Sequence, residues 1–333
     1  MDRRDPWLAW KVAAHGLVRR ARWVVESRRY ARRRAERVGR DWAATLGSHA
    51  SRLVRDPERA VLELAAGKET NLRIAAAALD GIVVRPREVL SMWFAVGAPT
   101  AERGFEHGME LRSGCIVPTV GGGLCQIAGG LFEAALRAGL TVVEHHPHSL
   151  ELAPEPDRIR PFGTGAAVLY PYRDVLVRND HPFDVVLRAD VDDETLRIDV
   201  LAERLPFVVS DVEERNYRVE RLEGRLYRAA ELWRVWRRRD SGTLVRETIV
   251  LAGRVPVLEE MPDSHCYTCD KTSCPSRYAE GTRERAAAMA EHERARTAAV
   301  AASLSVAAVH RSGLGHAAET IAGRVHRLRV VPA

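Results

Sequence analysis

Gly121-Gly122-Gly123-Leu124-Cys125-Gln126 is the stretch on which the reading of this chain turns. Three consecutive glycines mark backbone that either turns through conformations closed to other residues or lets another group come close. After them Leu124, Ile127, Ala128, Leu131, Ala135 and Ala138 recur at the spacing of one helix face, and Gly139 stands where such a helix ends. The pattern predicts a helix with Cys125 in its first turn. Unpaired amides and the positive end of the helix dipole meet there, and both favour the thiolate, the reactive form of cysteine. Gly129, one turn further on, carries no side chain to screen the sulfur from that side. Beyond the helix, Val142-Val143-Glu144-His145-His146-Pro147-His148-Ser149 is a β-prone run ending in histidines. A cysteine at a helix start with histidine on a neighbouring strand is the plan of many thiol nucleophile–base pairs. The bland alternative is a cysteine that fills space in a packed helix.

Working outward, 333 residues hold one large domain or two ordinary ones, and 46% apolar residues are ample for a core. Lysine and arginine number 51 against 45 acidic residues, a formal charge of +6, and the cations are nearly all arginine. That excess is modest and uneven, so it points to a basic segment and no nucleic-acid partner is expected. Five cysteines, mostly clustered, do not make a disulfide framework. No apolar run is long enough to span a bilayer. Asp2, Arg3, Arg4, Asp5 and Lys11 break the start, so no signal peptide is read and a cytoplasmic location is expected.

Residues 1–60 form the basic segment, in which Trp7, Leu8, Trp10, Leu17, Val18, Trp23, Val24 and Val25 alternate with arginines. Helical amphipathic character is expected over residues 1–55. It serves either peripheral attachment to the anionic inner face of a membrane or a helical hairpin packed on the main domain with its arginines in solvent. In the next segment, 65–205, Thr70 or Asn71 is read as the cap of a helix with Leu72, Ala75, Ala76 and Leu79 on one face, closed by Gly81. Ile82–Val84 and Val89–Phe94 read as strands, and Met109–Arg112 with Cys115–Val117 as a hairpin around Ser113-Gly114. Val168–Tyr170, Val175–Val177, Val185–Leu187 and the clean alternation of Leu196, Ile198 and Val200 make the rest β-rich, with a turn at Asp192-Asp193. A β-rich extension, 206–260, follows, turning at Asp240-Ser241-Gly242. The fold class is α+β: a central helix starting at the glycine–cysteine turn, packed on a mainly antiparallel sheet, with a β-rich C-terminal section.

These residues carry a resemblance. Asn71-Leu72-Arg73-Ile74-Ala75-Ala76, Asp80-Gly81, Pro86, Glu88-Val89, Ser91, Glu102-Arg103-Gly104, the glycine–cysteine–glutamine stretch, Glu144 with His146-Pro147-His148-Ser149, and Arg178-Asn179 resemble the VanW family. The likeness covers about residues 65–205. It implies a link to cell-wall peptidoglycan, a stem peptide or precursor as partner, and glycopeptide (vancomycin) resistance. It also implies a cysteine-dependent, L,D-transpeptidase-like or amidase-like acyl transfer. The chain departs from the family where serines and a threonine usually follow the cysteine–glutamine pair, having Ala128, Gly129 and Gly130. It departs again in Gly165-Ala166-Ala167, where an Asp-Ala-Thr run is usual, and in Arg87, where a glycine is usual.

In the enzyme reading Cys125 attacks an amide or acyl carbonyl, and His148 is the base, followed by His146 and then His145. On an extended strand His146 and His148 share a face and His145 points away. The amide of Cys125 or the side chain of Gln126 holds the oxyanion. Asp174 or Asn179 is a candidate to orient His148, and Gly121, Gly122, Gly123 and Ser149 are candidate ligand contacts. A separate cluster at 261–277 has Cys266 and Cys269 spaced as a Cys-x-x-Cys pair, then Cys274, with His265 or another residue as a fourth ligand. It suits zinc or an iron–sulfur cluster, with reversible redox chemistry as the alternative. Cys115 reads as packing. Residues 278–333 read as an Ala/Arg-rich tail, helical over Glu280–Leu304, with a patterned stretch at Val325–Val331. Three function classes stay open: a thiol enzyme on peptidoglycan peptides, a non-catalytic binding or accessory protein, and a metal- or redox-responsive regulator.

Overall fold

The computed structural model describes residues 6–36, 38–53, 62–112, 115–152 and 161–258. In chain order the first elements are α1 (Pro6–Val25), β1 (Arg33–Arg34), β2 (Ala44–Arg52), α2 (Leu62–Leu79), β3 (Ile82–Val84), β4 (Val89–Ser91) and α3 (Met92–Val96). A hairpin of β5 (His107–Arg112) and β6 (Cys115–Val120) leads to α4 (Leu124–Arg137). Then come β7 (Thr141–Glu144), β8 (Glu151–Leu152), β9 (Leu176–Arg178), β10 (Val185–Val191) and β11 (Thr195–Ala202). Three long strands finish the described part: β12 (Val208–Leu222), β13 (Arg225–Arg238) and β14 (Leu244–Leu258).

The alternation at Leu196, Ile198 and Val200 decides the main layer. These side chains are fully buried, and β11 pairs antiparallel with β10 on one side and β2 on the other. The resulting five-stranded sheet has the order β1-β3-β10-β11-β2. Among the described residues the other sheets are β12-β13-β14-β8, β4-β9-β7 and the β5-β6 pair, and every strand pairing is antiparallel except β14 with β8. With four α-helices among the described residues, the fold is α+β.

The core sits between the five-stranded sheet and helices α2 and α4. Leu72, Ala75 and Leu79 of α2 and Ile127, Ala128, Leu131 and Ala135 of α4 join Leu187, Leu196, Ile198 and Val200 in one buried cluster. Each large side chain buried there contributes about 1.5–3 kcal/mol. Small residues set the closeness of approach. A side chain at Gly47 of β2 would overlap the Ala134 carbonyl of α4. One at Gly130 would lie 2.7 Å from the His49 ring. His49 in turn meets Glu133 at 3.0 Å, tying β2 to α4 inside the core.

Several expectations are corrected. The helix read as starting at Thr70 or Asn71 begins at Leu62, because Leu62–Ala66, Lys68 and Glu69 are good helix formers and carry Gly67 with them; Asn71 is internal and fully buried. The strand expected over Val89–Phe94 stops at Ser91, whose hydroxyl accepts from the Phe94 amide at 3.0 Å and starts α3. The helical character expected to residue 55 ends at Val25, and Ala44–Arg52 is an edge strand. Val168–Tyr170 is no strand; Leu169 only bridges to Arg173. The long strand Val208–Leu222 lies within the extension expected to be β-rich, although its own bounds were not readable because its inward side is interrupted by charged residues. Among the described residues no helix is long and apolar enough to cross a membrane.

Candidate functional site

Helix α4 starts from backbone that only glycine fits. Gly121 and Gly123 have positive φ, 78° and 96°, and Gly123 is the N-terminal flanking residue of the helix. Between them, any side chain on Gly122 would run into the Gly108 backbone of β5, and the reverse holds for Gly108. Asn71 locks this crossing. Its side-chain amide donates to the carbonyls of Glu106 (3.0 Å) and Gly122 (2.9 Å) and its oxygen accepts from the Glu106 amide at 2.8 Å. A buried Asn thus has three backbone partners and holds the turn to α2.

Cys125, half-buried, is the second residue of α4. The Gln126 amide is satisfied by Gly123 O at 2.9 Å. Gln126 donates both of its side-chain protons to β2, at Ser51 Oγ (3.0 Å) and Arg52 O (2.8 Å). It therefore fastens the helix start and has no proton left for an oxyanion. Ala128, Gly129 and Gly130 are buried, and Gly130 leaves the room that His49 occupies.

The histidines separate differently from strict strand alternation, because pairing ends at Glu144 and Pro147 follows. His145 stacks on Phe132 with ring centroids 3.7 Å apart and planes within 7°, and its Nε2 donates to Gly165 O at 2.9 Å. Burial pushes its pKa down to about 4, so it is neutral at pH 7, with the proton on Nε2. His148 packs against Gly165 as well: a side-chain carbon there would lie 2.9 Å from its Cδ2. Gly165 thus makes room for His148 where the usual acidic residue would not. His146 turns elsewhere and bonds Glu144 Oε1 at 3.0 Å. So His145 and His148 meet at Gly165, and His146 is the one that leaves. Ser149 is exposed.

Glu144 leads to a polar cluster that the sequence did not announce. Arg19 of α1 donates to both Glu144 oxygens, at 2.7 and 2.8 Å, and lies 3.5 Å from Asp174. Asp174 is completely buried; it accepts from Ser91 Oγ (2.5 Å), the Trp93 amide (3.1 Å) and its neighbour Val175 (2.8 Å). Burial raises its pKa to about 7, against the pull of Ser91 and Arg19. Of the two candidate partners for His148, Asp174 is thus engaged with Ser91, Trp93 and Arg19. Asn179 is engaged with Val84 O, Phe183 O and the His181 amide. Arg19 and Ser91 were not singled out as site residues; the only signal was an arginine inside the apolar run of α1 and a serine at a strand end.

Cys266, Cys269, Cys274 and His265, and the tail beyond them, lie outside the described residues. Among the described residues no group of three or more His, Cys, Asp or Glu side chains is arranged to hold a metal ion.

Residues 67–201 match the family described as VanW like protein. The vancomycin B-type resistance protein VanW of Enterococcus faecalis is 25% identical over 197 residues, which are 59% of this chain and 72% of that protein. The uncharacterized protein YoaR of Bacillus subtilis is 31% identical over 119 residues, 36% of this chain and 38% of that one. No solved structure matches. The matched region spans Asn71, the glycine turn, Cys125 and the histidine run, and it is a VanW-like region.

Proposed function

We propose that this chain is a VanW-like protein that acts on peptidoglycan stem peptides or their precursors in the context of glycopeptide resistance, with Cys125 as nucleophile and His148 as base. The observation that carries this reading is the placement of Cys125: half-buried at the second residue of α4, on a helix start fixed by Asn71 and the Gly108–Gly122 crossing. A thiol there is favoured as thiolate by the helix dipole and is held in one place. The histidine run supports the pairing. Leu140 N bonds Ala135 O and His145 reaches Phe132, so the chain leaving α4 turns back along it. Phe132 is seven residues after Cys125, on the same helix face and about 10 Å further along. His148 lies three residues beyond His145.

The chemistry is acyl transfer. The thiolate adds to an amide carbonyl, the C–N bond breaks, and the amine leaves with the proton that His148 took from the thiol. Water or an acceptor amine then cleaves the thioester, giving hydrolysis or transpeptidation. The oxyanion is held by backbone amides of the first turn of α4, in place of the engaged Gln126 side chain. The test is mass spectrometry of the intact protein after incubation with stem pentapeptide and with lipid-linked precursor. A covalent acyl adduct that is lost in Cys125→Ser supports the reading. Saturable binding with no adduct and no product supports a non-catalytic accessory role, which the missing hydroxyls at Ala128, Gly129 and Gly130 favour. A zinc or iron–sulfur role for Cys266, Cys269, Cys274 and His265 is a separate proposal, and metal content of the purified full chain decides it.

A further inference from the structure

Helix α1 is apolar on the face turned to the domain and on the face turned away from it, with its cations along the borders between. Its inward face is anchored by Trp23, 9% exposed, whose ring lies 6.0 Å from Phe94 and 6.2 Å from Tyr170. Gly16 fits against Pro171, and Arg19 reaches Glu144 and Asp174. A helix docked in this way normally turns charged residues to water. Here the outward face carries Leu17 (71% exposed), Val18 (52%), Val24 (76%) and Val25 (83%), with Trp10 (61%) a turn or two before them. At 100° per residue these side chains, with the alanines between them, cover about 140° of helix surface without a single charge. Lys11 and Arg22 border the stripe on one side and Arg20 on the other, and Pro6–Val25 holds no acidic residue.

We propose that this outward face of α1 seats the protein on an anionic lipid bilayer, lying in the interface while the opposite face holds the domain. The charge pattern selects the occupant. A second copy docked on this stripe would set arginine against arginine, whereas a bilayer offers hydrocarbon to the stripe and phosphates to the cations at its borders. Tryptophan beside the stripe suits the headgroup level. The arrangement differs from the helical hairpin with a solvated arginine face that the sequence also allowed: the middle of the solvent side is apolar, and the exposed arginines Arg20 and Arg22 lie at its borders.

The experiment is co-sedimentation of the full chain with phosphatidylcholine vesicles, with and without phosphatidylglycerol. Binding is expected to the anionic vesicles, weakening as salt rises. The double substitution Leu17→Glu, Val24→Glu, at positions already in solvent, should weaken it by at least about tenfold. Arg22→Glu should weaken it less, and circular dichroism should show each variant folded. No binding to either vesicle, or binding unchanged by the double substitution, overturns the proposal. So does a concentration-dependent dimer that the double substitution abolishes in a chain that ignores vesicles, since the occupant is then a second copy.

Discussion

The start of α4 and the Arg19–Glu144–Asp174 cluster position functional groups by opposite means. At the helix start the work is steric: backbones touch at Gly108 and Gly122, Gly121 and Gly123 take left-handed conformations, and Asn71 supplies directed bonds. At the cluster it is electrostatic: one arginine from α1 serves two carboxylates, one of them sealed from water. The first arrangement fixes a place for Cys125 without charge. The second fixes α1 and β7 at the cost of desolvating ions, and so depends on pH. The difference teaches that mutation should read out as lost packing in one region and as altered titration in the other.

The largest effect is expected at the steric site. Gly122→Ala should destabilise by about 3 kcal/mol or more, because the added carbon meets backbone that cannot rotate away. Chemical denaturation measures it, and a loss below about 1 kcal/mol would show that the turn is soft. Arg19→Met should cost less, about 2 kcal/mol, since Arg19 is 15% exposed and solvent shares the load, but it should also shift the titration of the carboxylates it leaves. NMR of Asp174 checks the second half.

The pH behaviour sharpens the comparison. Asp174, pushed up to about 7 from 3.8, holds a proton in the folded state that the unfolded chain has released; its contribution to stability therefore falls as pH rises through that window. His145, held down to about 4 from 6.5, does the reverse: the unfolded chain takes the proton first, and stability is lost as pH falls from about 6.5 to 4. The two slopes oppose each other between about 4 and 6.5. Asp174→Asn removes one of them, so melting temperature should drop more steeply on acidification than in the parent chain. The smallest effect is a gain. Arg87 sits at φ 71°, a left-handed conformation, where the family resemblance has glycine. Arg87→Gly should raise stability by up to about 1 kcal/mol in thermal melts, since the exposed, 3.9 Å contact with Asp180 that it gives up is worth little.

These contrasts also explain what was legible in the sequence. Gly121–Gly123 and the Leu196–Val200 alternation were readable because steric and burial demands are written in local residue types. Asn71 was readable as important but not in its role, since a polar residue at a cap and one clamping a neighbouring loop look alike. The Asp174 cluster was not legible. Arg19 and Glu144 are 125 residues apart, and Ser91 and Asp174 are 83 apart, so only the fold brings them together. The histidines fell between: their presence was plain, but which of them turns to Glu144 depended on where β7 stops pairing.

The placement of Cys125 as a working thiol is tested most directly by the pH dependence of its alkylation in the full chain and in His148→Ala. The expected result is a thiolate titrating well below the ordinary value of about 8.5, and moving upward in the variant. Alkylation that is slow at every pH, or a profile indifferent to His148→Ala, would contradict the nucleophile–base pair and leave the glycine–cysteine turn as a structural device of a binding protein.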